Sequence, residues 1–79
     1  DDEIYTVLVD MPESKPFVTA AFDRRGEALQ HAHEMAAQYA QENNIVNETT
    51  EKTDPMGVIE VRLDNSRYVA SVHTTRYDT

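Results

Sequence analysis

The sequence predicts an α+β fold, a two-layer sandwich in which one long helix packs on an antiparallel sheet of four or five strands. Runs of β-branched and aromatic residues lie towards both ends of the chain, and they are typical of strands. A single stretch in the middle has helical periodicity. The chain of 79 residues has the length of one domain, so these elements are expected to share one core in the order β-β-α-(β)-β-β.

The first hairpin is predicted from two runs, 4–11 (IYTVLVDM) and 17–22 (FVTAAF). Pro12 and Pro16 bracket the polar residues between them, which is typical of a turn. Both faces of the first strand are apolar, and this predicts a strand that is central in the sheet or covered on both sides. Residues 1–3 are expected to fray as the terminus of the domain.

The helix is predicted to run from Arg24 to about Asn43. Asp23 is the predicted N-cap, because its carboxylate can accept the free amide hydrogens of the first turn. Apolar residues at i, i+3, i+4 and i+7 form one stripe that should face the sheet. The stripe consists of Ala28, Leu29, Ala32, Met35, Ala36, Tyr39 and Ala40. Most of these side chains are small or medium in size, so the helix should approach the sheet closely.

The last third of the chain predicts a second hairpin. Residues 58–63 (VIEVRL) and 67–77 (RYVASVHTTRY) have the composition of strands, and residues 64–66 (DNS) form the turn between them. The segment 43–57 is either an edge strand or an acidic loop. The strand is favoured, because fifteen residues without regular structure are uncommon in a compact domain.

The net charge of −8 comes from two segments. Residues 1–13 contain five acidic and no basic residues, and residues 42–54 contain four acidic residues and one lysine. This excess serves either solubility or the binding of a basic partner. Direct binding to nucleic acid is disfavoured, because phosphate contacts need a basic surface. The chain has no cysteine, which excludes disulfides and thiolate zinc sites.

Two of the three histidines lie in the helical segment 28–40, ALQHAHEMAAQYA. At about 100° per residue, His31 and His33 point about 200° apart, so they cannot bind one ion without unwinding the helix. His31 and Glu34 have an i,i+3 spacing, but sites of that kind need carboxylates from several helices. We therefore expect two histidines that flank the buried stripe, with no metal, no specific zinc binding and no cofactor.

No catalytic residue is predicted. Ser71 and His73 should lie side by side on the last strand, but without an acidic third member nearby on that face. No Gly-x-Ser-x-Gly elbow occurs, and two glycines are too few for a phosphate-binding loop. A thin core also leaves little room for a closed pocket.

The predicted topology collects carboxylates at one end of the domain. The second strand of a hairpin returns to the end where the first began, so the helix should finish near the turn at 10–16. Five carboxylates should therefore meet there, and they are the candidate partner-binding residues for a basic protein surface: Asp10, Glu13, Glu42, Glu48 and Asp64.

In size, charge and architecture the chain resembles small phage-encoded proteins, among them inhibitors of bacterial defence systems and DNA mimics. The resemblance implies a non-enzymatic protein that engages a basic nucleic-acid-binding surface of another protein. The alternative is a structural or oligomerisation module that forms a homodimer through its sheet, and a small enzyme comes third. No run of 18 apolar residues and no signal peptide is present, so no membrane contact is expected and the cytoplasm is favoured.

Overall fold

The fold is one helix packed on a five-stranded antiparallel sheet, as the sequence predicts. The computed structural model describes residues 2–77. Its elements are β1 (Asp2–Asp10), β2 (Phe17–Phe22), α1 (Arg25–Glu42), β3 (Thr49–Thr53), β4 (Ile59–Leu63) and β5 (Val69–Tyr77). The strand order is β2-β1-β5-β4-β3, and every neighbouring pair is antiparallel. The first and last strands therefore lie side by side inside the sheet.

The core lies between α1 and one face of the sheet. Alternate residues of three strands point towards the helix and are buried, and the register places Val7 opposite Val72 and Val61 opposite Ala70. The predicted helix stripe is confirmed. Its four fully buried members are Ala28, Ala32, Ala36 and Ala40, while its larger members are partly buried around them. Alanine at these positions lets the helix backbone approach the sheet.

The start of α1 differs from the prediction. The N-cap is Arg24 and not Asp23, and no side chain of residues 2–77 caps the helix. The pairing of β2 with β1 continues through Phe22, which lies opposite Tyr5. Two residues are then needed to turn the chain before the first helical hydrogen bond, from the Ala28 N–H to the Arg24 carbonyl oxygen. Glu27 in the first turn supplies the negative charge that a helix N-terminus favours.

The end of α1 is a Schellman motif. Asn44 takes a left-handed conformation with φ 55°. Its N–H donates to the Gln41 carbonyl oxygen, and the N–H of Ile45 donates to that of Ala40 at 2.8 Å. The Ile45 side chain packs against the core, which is the apolar contact that accompanies this motif. Ile45 thus terminates the helix and does not belong to an edge strand.

The segment 43–57 contains an edge strand, but a shorter one than expected, β3. The loop that follows is organised by Asp54, whose carboxylate accepts hydrogen bonds from the backbone N–H groups of Met56 and Val58. Gly57 in this loop has φ 88°, a conformation that glycine adopts without strain.

At the amino terminus, Asp2 and Glu3 are paired with Tyr77 and Arg76 as the first residues of β1, and the fraying expected of residues 1–3 stays a prediction. Neighbouring β5 supplies the hydrogen bonds that an isolated terminus would lack. Asp1 lies outside the described residues. Between residues 2 and 77, no helix combines the length and apolarity needed to cross a membrane.

No other layer of the described residues covers the second apolar face of β1. β1 is internal in the sheet, with β2 and β5 on either side. The side chains of Ile4, Thr6 and Leu8 point away from the helix and are half-buried by their neighbours on the strands alone. Within the described part of the chain, the sheet is therefore covered on one face only.

Candidate partner-binding end

The five predicted carboxylates all lie at one end of the sheet, which we call the acidic end (Asp10, Glu13, Glu42, Glu48 and Asp64). Asp10 is the last residue of β1 and lies opposite Val69, and Arg62 of β4 lies opposite the same valine, so the two strands end within one residue of each other. Asp64 follows directly on β4. Its backbone N–H donates to the Glu48 carbonyl oxygen at 2.8 Å, which fixes these two residues beside each other.

The helix and the first turn complete this end. Glu42 is the last residue of α1, and it borders a cavity together with Met11 and Phe17, which flank the turn that contains Glu13. Asp10 and Glu48 are separated by three strand spacings, or about 14 Å. The carboxylates therefore form a broad rim and not a compact cluster.

Three basic residues from outside the two acidic segments of the sequence also lie at this end. Lys15 is in the turn between β1 and β2, and Arg67 is in the turn between β4 and β5. Both are exposed. With Arg62, which is also exposed and lies level with Asp10 on β4, five carboxylates stand against three cations, a net charge of −2. The negative field of the acidic end is therefore weaker than the sequence segments suggest.

Asp64 differs from the other four carboxylates, because its side chain has a structural role. The Thr50 hydroxyl donates to Asp64 Oδ1 at 2.9 Å and holds the start of β3 against the end of β4. Two further carboxylates of the acidic segment 42–54 also have partners. Glu51 contacts His33, and Asp54 accepts hydrogen bonds from backbone N–H groups. These three carboxylates are accounted for by the fold.

The other four carboxylates of the acidic end are Asp10, Glu13, Glu42 and Glu48. All four are exposed, and none forms a side-chain hydrogen bond or ion pair with another residue of the described range 2–77. The last turn of α1 contains no basic residue. The carbonyl end of a helix carries a partial negative charge, so Glu42 adds repulsion there. Packing and hydrogen bonding within the fold do not explain this placement.

An apolar cavity of about 110 Å³ opens beside Glu42. Its walls come from the last two turns of α1, from both sides of the first turn and from the residue that precedes β5. The apolar and aromatic lining residues are Val9, Met11, Phe17, Met35, Tyr39 and Tyr68. Gln38 and Glu42 supply polar groups. The sequence prediction that a thin core leaves little room for a pocket did not anticipate this cavity.

Tyr68 is the most unusual of the lining residues. Only 2% of its surface is exposed, and its ring stacks on that of Tyr39 with the ring centres 4.6 Å apart. Burial, and to a smaller degree the neighbouring Tyr39 phenol, raises the pKa of Tyr68 to about 12. Its hydroxyl forms no hydrogen bond to any other residue between 2 and 77, and it reaches solvent, because no fully enclosed side-chain nitrogen or oxygen atom in that range lacks a partner. A hydroxyl that reaches solvent beside a cavity and has no protein partner is available to a ligand.

Ionisation of Tyr68 should destabilise the fold at high pH. The unfolded chain releases this proton near pH 10, whereas the folded protein holds it to about pH 12. The folded state binds more protons in that window, so the free energy of unfolding falls as the pH rises from about 10 to 12. We expect a loss on the order of 1 kcal/mol, because the cavity is partly open to solvent. Urea unfolding at several pH values measures it.

Tyr68→Phe is the control for this prediction, because phenylalanine keeps the ring and removes the titrating proton. The variant should lose less stability than the parent protein over the same pH window. Equal losses in the two proteins would show that other groups control the alkaline unfolding.

The two helical histidines lie on opposite flanks of α1, as predicted. His31 Nε2 is 3.1 Å from the Thr19 hydroxyl on β2, and His33 Nε2 is 2.5 Å from Glu51 Oε1 on β3. The two partner strands are the two edges of the sheet. No group of three or more His, Cys, Asp or Glu side chains among residues 2–77 is arranged to hold a metal ion.

Ser71 and His73 form a hydrogen-bonded pair on the open face of the sheet, with Ser71 Oγ and His73 Nε2 2.9 Å apart. The expectation that no acidic residue lies nearby is wrong, because Glu60 of β4 lies directly opposite Ser71. Glu60, however, accepts a hydrogen bond from Arg62 at 3.3 Å. β5 is paired on both sides, so its backbone N–H groups here are used in the sheet and are not free to stabilise an oxyanion. We interpret the pair as a polar contact of the sheet surface.

Comparison with known protein families, with characterised proteins and with solved structures finds no match to this chain.

Proposed function

We propose that this protein acts without catalysis, by binding a basic surface of another protein with its acidic end. The observation that carries the proposal is the set of four exposed carboxylates that have no partner within the described fold, beside a helix terminus of the same sign. Like charges placed together lower stability, and a cationic partner turns that cost into binding energy. An acidic end can also accelerate the encounter with such a partner.

The partner class that fits is a protein whose own ligand is nucleic acid. Such proteins present clustered lysine and arginine side chains to phosphates. A rim of separated carboxylates about 14 Å wide can meet several of these side chains at once. An inhibitor that occupies the nucleic-acid channel of a defence or regulatory complex would work in this way, as would a DNA mimic.

Neutralising the four free carboxylates tests the proposal. In the acidic-end variant, Asp10→Asn, Glu13→Gln, Glu42→Gln and Glu48→Gln are combined. We expect the variant to be no less stable than the parent protein and to gain stability at low salt, because repulsion is removed. Binding of a heptalysine peptide, measured by NMR titration at low and high salt, should weaken and lose most of its salt dependence.

A matched control removes the same number of charges elsewhere, from exposed carboxylates outside the acidic end: Asp2→Asn, Asp23→Asn, Glu27→Gln and Glu34→Gln. If the position of the carboxylates determines binding, and not the net charge of the protein alone, the control variant should keep most of its affinity for the peptide. If the acidic-end variant loses stability while its peptide binding is untouched, the four carboxylates are structural and the proposal is wrong.

A second candidate function is self-association through the open sheet face. The observation in its favour is that half-buried Ile4, Leu8 and Val69 are continuous across the strands with Val18, which is 59% exposed. A stable dimer would need to bury about 800 Å² on each copy. Sedimentation at high protein concentration separates the two candidates. A dimer that is insensitive to salt supports the sheet interface, whereas a monomer that binds a basic peptide with steep salt dependence supports the acidic end.

A further inference from the structure

We propose that the cavity beside Glu42 receives one arginine side chain of the basic partner, an inference that rests on the proposed function and specifies its contact. The cavity can distinguish partner side chains by their shape as well as by their charge. Its volume of about 110 Å³ is smaller than the about 150 Å³ of an apolar cavity that holds benzene, so it has room for part of one side chain, with the remainder lying across its open mouth.

The lining matches the two parts of an arginine. Met11, Met35 and Val9 offer apolar contacts to a methylene stem, and methionine adapts well to an unbranched chain. Tyr39 and Tyr68 present a stacked pair of rings, and a planar guanidinium packs on such surfaces by cation–π attraction. A wholly apolar side chain would pack against the apolar lining residues, but it would form no hydrogen bond with the polar groups of the cavity.

The polar groups are placed for a cation with several donors. Glu42 is an exposed carboxylate that lines the cavity at the end of α1, where the helix terminus adds negative potential. Tyr68 lines the same cavity and is only 2% exposed, and its hydroxyl, which reaches solvent, has no partner among the described residues. A guanidinium has five N–H donors in a fixed plane, so it can donate to both oxygens at once, whereas a lysine ammonium is a point charge without a stacking surface.

Three peptides separate this proposal from the more general one. Heptalysine is compared with the same peptide carrying arginine at the central position and with one carrying norleucine there. The two cationic peptides have equal charge, so their attraction to the carboxylate rim is the same and any difference reports on the cavity. Affinities are measured by NMR titration of protein with labelled methionine methyl groups.

We expect the arginine peptide to bind about three- to tenfold more tightly than heptalysine, the gain typical of a cation–π contact with a charge-assisted hydrogen bond. The methyl resonances of Met11 and Met35 should shift on binding. Met56, which is 87% exposed in the β3–β4 loop and outside the cavity, is the internal reference and should not shift.

Variants assign the effect to the cavity. Glu42→Gln and Tyr68→Phe should each reduce the preference for arginine over lysine. Glu34→Gln removes the same charge as Glu42→Gln from an exposed position of the same helix and should keep the preference. A thermal melt of each variant confirms that it is folded.

Each other outcome has a definite meaning. Equal affinity for the arginine and lysine peptides, or tighter binding of the norleucine peptide, overturns the arginine site. In that case the acidic-end proposal still holds if the acidic-end variant binds heptalysine more weakly than the parent protein does. If no cationic peptide binds at low salt, both proposals fall.

Discussion

Leu63→Ala is expected to lower the free energy of unfolding by about 2–5 kcal/mol, the largest effect of any substitution considered. Leu63 is 1% exposed and ends β4 on the face that packs against the helix. Shortening it removes apolar contacts and leaves a cavity, because strand pairing with Thr49 holds the surrounding backbone in place. A domain of this length has a total stability of only about 4–12 kcal/mol, so much of it would be lost.

Chemical denaturation monitored by circular dichroism measures this loss. Val46→Ala is the matched control, because Val46 is 63% exposed and precedes β3 on the surface. The control should change stability by less than about 0.5 kcal/mol. A Leu63→Ala protein as stable as the control would contradict the position of the core between β4 and α1.

Ala36→Phe is expected to cost about 1–3 kcal/mol by overpacking. Ala36 is fully buried, and it lies in the middle of the alanine row that brings the helix backbone close to the sheet. A phenyl ring has no space there unless α1 moves away, and that movement would break the contacts of its neighbours. Ala32→Phe should behave in the same way, because Ala32 is also fully buried one turn earlier.

Gln30→Phe serves as the control for both alanine variants, since Gln30 is exposed on the opposite side of the same helix. Its unfolding midpoint should stay close to that of the parent protein. Unchanged midpoints for Ala36→Phe and Ala32→Phe as well would mean that another face of α1 packs on the sheet.

The features that the sequence predicts well are those with a strict period. The alanines of the helix repeat every four residues and the core residues of β1 and β4 every two, so burial follows from spacing alone. Both ends of the helix lie within one residue of the prediction. The predicted N-cap is wrong, because Asp23 has a suitable side chain while the pairing of Phe22 with Tyr5 delays the helix by one residue.

The candidate site could be predicted only in part. The topology was enough to bring the four free carboxylates to one end, because antiparallel order and helix length determine where each segment finishes. It did not reveal Lys15, Arg62 and Arg67 beside them, since the charge was counted by segment and not by position in space. The stacking of Tyr39 on Tyr68 joins residues 29 positions apart, and no periodicity indicates such a contact.

The pairing of β1 with β5 has a consequence for how the molecule folds. These two strands come from opposite ends of the chain, and their register joins Asp2 to Tyr77. Closing a loop of that length is entropically slow, and proteins dominated by such distant contacts fold more slowly than helical ones of the same size. Before β5 has been synthesised, β1 and its hairpin partner have an unpaired edge, and α1 lacks part of the surface that buries its alanines. The domain is therefore expected to acquire its structure after translation of residues 69–77, in one cooperative step, with little stable structure in any shorter nascent chain.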